Sequence, residues 1–420
     1  MSVVAPNVSH RPGAGPLPPL PADHPRGSGS PRVVGIDVAR GLALLGMLAV
    51  HIFDVLHADD TPSKTFQVMG GHAVATFVLL AGVSLTFITT RPRTGSRRTD
   101  ASTAASLAGR ALVITAIGLA LNSALDPDID VILPYYGLMF LLVIPLLGLR
   151  SRSLLGVSLA LVVLAPLLVL ATFATSLPND EPTLSTLIHP VDLLVPLLLT
   201  GTSPAVAYLA FICAGMVIGR LDLSSARVAG RLTVVGVVLS AGSWLVSTAL
   251  LLRFGGLEHL RSAAPADVSA RAARDIILWD PDTVSSWWWL VERAPYATTP
   301  FRMLHDLGIA MAWLGVALLV TRSRTLRRAL GPVAAAGAMT LTLYTAHVVV
   351  LSTSFLEDDQ IPLFAVLTYV ALSSAALWRR DGRKGPLEAA VTWTANRARD
   401  LTATRLPGGS PDRLRARRRG

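Results

Sequence analysis

Asp37, Arg40 and His51 lie within GIDVARGLALLGMLAVHIF, residues 35–53, a run otherwise suited to lipid. An α-helix turns about 100° per residue, so the step from Arg40 to His51 closes three turns with only about 20° left over. One face therefore carries both, with Asp37 about one turn before Arg40. At roughly 1.5 Å per residue, Arg40 and His51 are about 16 Å apart along the axis, half of an apolar layer about 30 Å thick. Ionisable groups at that depth usually face a protein interior or a pathway. For His51 two roles stand open: general base toward a hydroxyl or amine, or nucleophile forming an acyl-imidazole. An ordinary imidazole pKa of about 6.5 suits either. Asp37 is too far along the axis to reach His51 and is assigned to orienting Arg40. The plainer reading makes Asp37–Arg40 an interfacial ion pair and His51 a headgroup contact; the shared face favours the functional one.

Other residues that could do chemistry are scattered. His347 in LTLYTAHVV has Tyr344 three positions earlier on the same helical face, which is either a substrate contact or a buried histidine satisfied by a hydroxyl. His305 and Asp306 open a later apolar run and are candidates for acceptor binding. His72 opens the second run, at the level of His51. His57, Asp59 and Asp60 read as a solvated loop. No H-E-x-x-H pattern, P-loop or G-x-S-x-G elbow occurs, so no metal site, ATP-driven transport or serine hydrolysis is expected. The single cysteine, Cys213, lies inside an apolar run and excludes an intramolecular disulfide.

The elements that must position these residues are membrane helices. Hydrophobic residues make up 52% of the 420, charged ones 15%, and mean hydropathy is +0.54. Runs of about 20 apolar residues predict an all-α, polytopic integral membrane protein of about ten transmembrane helices. They fall near 34–56, 71–90, 105–125, 131–149, 153–175, 204–221, 231–252, 303–321, 332–354 and 361–378. Residues 186–204 are short and proline-broken, which suits a re-entrant or interfacial helix. The loop 253–302, with Trp279 and the run 287–289, is either an interfacial belt or a cap. Three parts follow: a disordered N-terminal tail over 1–31 with no signal-peptide core, a transmembrane domain over 32–378, and a basic cytoplasmic C-terminal tail over 379–420 whose last residues, RLRARRRG, rest on anionic lipid. Basic clusters at 91–98, 150–152, 220–231 and 322–328 fall on one side of ten crossings, with acidic loops at 57–60, 126–130, 179–181 and 357–359 on the other. That asymmetry predicts a cell-membrane protein with both termini cytoplasmic. The net charge of +10 is explained by those loops and tails rather than by nucleic acid.

The first run, R-x-x-G-I-D-x-x-R-G-L-A-L-L-G-M-L-A-V-H from Arg32, resembles the first helix of the membrane acyltransferases that include heparan-alpha-glucosaminide N-acetyltransferase and the acyltransferase-three O-acetylases. Arg40 and His51 match the Arg, ten residues, His spacing of the O-acetylases, and D-x-x-R-G at 37–41 matches the heparan-type branch. FVLLAGVSLTF at 77–87, GRALVITAIGLALN at 109–122, ILPYYGLMFLLVIPLL at 132–147 and AAAGAMTLTLYTAHVVVLS at 334–352 extend the resemblance, the last also toward an uncharacterised bacterial membrane family.

The resemblance implies no resident cofactor but an acyl-CoA co-substrate, acetyl-CoA in the first instance, with its phosphates near Arg40 and Arg110 on the cytoplasmic side. Its thin arm reaches toward His51, and the acyl group passes to an extracytoplasmic sugar or envelope glycan. His72 is a candidate for the acetyl-accepting histidine of the heparan-type branch, although the Asn and Trp of that pattern are missing here. Two other classes remain: a transporter or flippase, which needs polar groups on several helices and broken helices in paired halves, and a non-catalytic envelope-assembly protein, which would tolerate loss of His51.

Overall fold

The computed structural model describes residues 33–56, 61–89, 97–124, 129–263, 278–279, 286–353 and 359–405. The expected N-terminal tail, the loop with His57, Asp59 and Asp60, and the last residues from 406 lie outside the described residues. All regular elements among them are helical. The α-helices are α1 (Val34–Ile52), α2 (Lys64–Met69), α3 (His72–Thr89), α4 (Arg97–Ala124), α5 (Leu133–Leu142), α6 (Ser151–Thr172), α7 (Pro190–Val195) and α8 (Ala205–Gly219). They continue with α9 (Ala226–Leu252), α10 (Gly256–Ala263), α11 (Pro300–Val320), α12 (Arg324–Ala329), α13 (Gly331–Gly337), α14 (Thr340–Leu351), α15 (Gln360–Arg379) and α16 (Pro386–Arg405). Seven stretches are long and apolar enough to cross a membrane, nine if each of two bent pairs counts as one span. The chain is a multi-pass, all-α membrane protein.

Helix α1 is the central post. Val38, Ala39, Ala43, Leu44, Met47 and Leu48 are all buried, as expected of a helix apolar on nearly every side. It packs against α3, α11 and α13. Glycines set how close these helices come: a Cβ on Gly41 would run into the Val333 carbonyl, and one on Gly337 into the Asp37 carbonyl. Close backbone approach through small residues is how membrane helices gain contact where lipid removes the hydrophobic drive.

Two expected spans differ. The run 131–149 holds a helix of only ten residues, α5, followed by a 3-10 turn over Ile144–Gly148 with Pro145 in its first turn; that proline has no N–H to continue the α-ladder. The run 332–354 is two helices, α13 and α14, bent by 85°, because Met339 leaves helical geometry between them. Residues 190–200, within the stretch read as re-entrant or interfacial, form with α8 a second pair bent by 54°, with Pro204 just before α8.

The stretch read as a basic tail, whose last residues, RLRARRRG, lie outside the described residues, contains α16, which packs along α4. Val391 and Ala395 are buried in it, a pair one turn apart that the surrounding charges concealed in the sequence. In the loop after α9, Trp289 is buried edge-on to Phe173 and Trp288 stacks on His259. Of that tryptophan run only Trp287 is exposed, so it forms a small core of its own more than a belt.

Candidate functional site

Asp37 and Arg40 meet as the one-turn spacing on α1 requires. Arg40 Nη1 is 3.5 Å from the Asp37 carboxylate. Its Nη2 donates to Ser84 Oγ on α3 at 2.6 Å, and Nη1 donates to the Gly337 carbonyl at 3.4 Å. Ser84 in turn donates to the Leu80 carbonyl. The guanidinium thus ties α1 to α3 and to the last residue of α13, just where that span breaks.

At the other end of α1, His51 Nδ1 lies 3.0 Å from His347 Nε2 on α14. His347 Nδ1 is 3.2 Å from the Leu343 carbonyl. A carbonyl oxygen only accepts, so His347 Nδ1 carries the hydrogen, and in the neutral ring its Nε2 must accept. His51 therefore donates from Nδ1 and keeps the lone pair on Nε2. Tyr344, one turn before His347, sits edge-on to both rings, at 6.2 Å from His51 and 5.0 Å from His347. Its hydroxyl accepts from Ile132 N–H at 3.3 Å. Of the expected partners, the fold brings His347 and Tyr344 to His51.

His51 borders a cavity of about 410 Å³ shared with Asp130, Tyr135, Thr202, Ser203 and Tyr296. Glu181 stands behind it, accepting from the Tyr135 hydroxyl at 2.9 Å and from Thr202 Oγ1 at 2.6 Å. Burial and the Glu181 charge push the Asp130 carboxyl up to about 6, against an opposing hydrogen bond from Thr202. Asp130, Glu181 and Thr202 come from three separate loops, and in the sequence the first two stand only as members of acidic loops on the outer side. No spacing joins them, so only the fold reveals the set.

His72, His305 and Asp306 form a second cluster, none of them lining that cavity. His72 Nδ1 donates to the Asp306 carboxylate at 2.6 Å, and Arg302 Nε reaches the same carboxylate at 3.0 Å. Arg302 also donates to the Gly70 carbonyl, and a Cβ on Gly71, whose φ is +75°, would collide with it. The His72 and His305 rings are 5.1 Å apart, and His305 Nδ1 donates to the Ser240 carbonyl at 3.0 Å. Arg302, which sequence reading passed over, is buried and pairs with Asp306 four residues on. Asp306 is thus held in an internal ion pair, away from the exposed position expected for acceptor binding. Arg110 faces neither Arg40 nor His51 in any hydrogen bond; its charged neighbour is Arg399 of α16. Among the described residues no group of three or more potential metal ligands occurs.

The fold and site define a many-helix membrane bundle with a paired-histidine site at one end of α1 and a half-buried arginine toward the other. Residues 32–229 match the heparan-alpha-glucosaminide N-acetyltransferase catalytic family, and residues 276–397 match a protein family of unknown function, DUF418. The first half of the bundle is therefore similar to the catalytic region of heparan-alpha-glucosaminide N-acetyltransferases. No curated protein matches it.

Proposed function

We propose that the protein takes an acyl group, acetyl in the first instance, from cytoplasmic acyl-CoA and passes it to an extracytoplasmic sugar or envelope glycan. The observation that carries this reading is the His347–His51 pair, which leaves the His51 Nε2 lone pair at the edge of the cavity. As general base, Nε2 removes the proton of an acceptor hydroxyl or amine while the acceptor oxygen or nitrogen attacks the thioester carbon. The sulfur leaves as thiolate, and His347 shares the charge that develops on His51. As nucleophile, Nε2 first forms an acyl-imidazole that the acceptor then attacks. Arg40, held by Asp37, Ser84 and the Gly337 carbonyl, sits toward the donor side. The cavity, with Asp130, Glu181, Tyr135 and Thr202 supplying hydrogen-bonding groups, is the acceptor side. The membrane is the cell membrane, with the start of α1 facing the cytoplasm, where the basic loops gather.

The test is transfer of label from radioactive acetyl-CoA to protein or glycan in inverted vesicles, comparing wild type with His51→Ala and Arg40→Ala. Loss of transfer in both, with normal insertion, supports the reading. Transfer that ignores His51 rejects it. A transporter is the second reading, favoured by the two broken spans; it predicts solute flux in the same vesicles without label transfer.

A further inference from the structure

Arg110 on α4 carries a buried nitrogen with no partner. It is half-buried, and its Nε is sealed from solvent with no hydrogen-bond partner. The charge that acts on it is Arg399 on α16, of the same sign. Arg399 itself has one weak contact, Nη2 to Ser106 Oγ at 3.5 Å. The two helices cross here tightly, for a Cβ on Gly109 would press on Ala398 and the Thr394 carbonyl. A buried charge is costly unless paired, and two like charges in one seam add to that cost.

We propose that the seam between α4 and α16 binds a phosphate group, held between the forks of Arg110 and Arg399 with Ser106 beside them. Each guanidinium offers five N–H donors in a plane, and a phosphate supplies both the oxygens and the double charge for two such forks. A carboxylate is satisfied by one fork alone. The phosphate can belong to a soluble nucleotide-type ligand such as coenzyme A, to an anionic phospholipid headgroup, or to the free ion. The site does not depend on the acyltransferase reading. Were coenzyme A the ligand, the seam would anchor the donor from the C-terminal helix.

The test uses the full chain, delipidated in neutral detergent, with inorganic phosphate, coenzyme A and phosphatidylglycerol as probes and phosphatidylcholine as control. Binding and the thermal midpoint are both read. At least one phosphate probe should bind and raise the midpoint, and Arg399→Gln and Arg110→Gln should each weaken that binding by about tenfold or more. Because the two guanidiniums repel when empty, Arg399→Gln should also raise the midpoint of the ligand-free protein, which a structural arginine would not do. A response to coenzyme A alone assigns a soluble ligand, to phosphatidylglycerol alone a lipid, and to all three the bare phosphate group. Absence of binding by every probe, unchanged binding in both variants, or a lower ligand-free midpoint in Arg399→Gln overturns the proposal. All of these readings are of binding, so they stand whether or not label transfer is found.

Discussion

What makes His51 different from an ordinary intramembrane histidine is the atom it has free. The carbonyl of Leu343 fixes the hydrogen on His347, and His347 in turn fixes the hydrogen on His51. His347→Ala would release His51 to either tautomer and leave its Nδ1 hydrogen unpaired. We expect transfer to fall by about tenfold to a hundredfold, less than in His51→Ala, where loss of a general base costs about 10²–10⁴. His347→Gln, with an amide oxygen able to accept from Nδ1, should recover part of the rate. Equal rates in His347→Ala and wild type would remove His347 from the site. Asp130 offers a test of stability. Its carboxyl titrates near 6 in the fold against an ordinary 3.8, so between those values the folded state binds more protons than the unfolded one. Stability therefore falls as pH rises from about 4 to 6 and is level beyond. Asp130→Asn should erase that slope and be more stable than wild type at pH 7, by on the order of 2 kcal/mol. Thermal midpoints across pH 4–8 in detergent decide it.

Helix α14 carries His347 and Tyr344, and it begins at a break in an apolar span. Its first N–H groups have no partner within the helix, and in lipid such groups must be satisfied. Glu388 of α16 does this: one carboxylate oxygen accepts from Leu341 N–H at 2.8 Å and Thr342 N–H at 3.2 Å, the other from Thr342 Oγ1 at 2.6 Å. Glu388→Ala should cost about 1–3 kcal/mol and slow transfer as α14 loosens its hold on His347. Glu388→Gln, which keeps one oxygen acceptor, should cost less. Circular dichroism melts and vesicle transfer test the pair together. Nothing in PLEAAV, residues 386–391, announces a membrane-helix cap, because the contact is between segments some fifty residues apart. The spans, by contrast, were readable from length and hydropathy, and Asp37 with Arg40 from helical spacing. The broken spans were not, because hydropathy reports that residues are apolar without reporting the direction of the chain. The partner of His51 was on the page as a residue but not as a contact: His347 and Tyr344 share a face, but only folding decides which face meets α1.

Across the whole bundle, α1 links two chemistries about 16 Å apart along its axis. Arg40 anchors one end through α3 and α13, and His51 meets α14 at the other. The crossing that holds this together is at Gly337, where any side chain would overlap the Asp37 carbonyl. Gly337→Ala must push α13 away from α1, at about 1–3 kcal/mol by overpacking, and must lengthen the already long Arg40 contact. The break that follows Gly337 sets the direction of α14, so the disturbance should reach His347. On the proposed reading, a protein in which the two ends work as one machine would then lose more in transfer than in affinity for coenzyme A. A protein in which they are independent would keep transfer and lose only stability. Measuring the donor affinity, the transfer rate and the thermal midpoint of Gly337→Ala together separates the two, and a fall in rate accompanied by an equal loss of donor affinity would show instead that the crossing shapes the donor site alone.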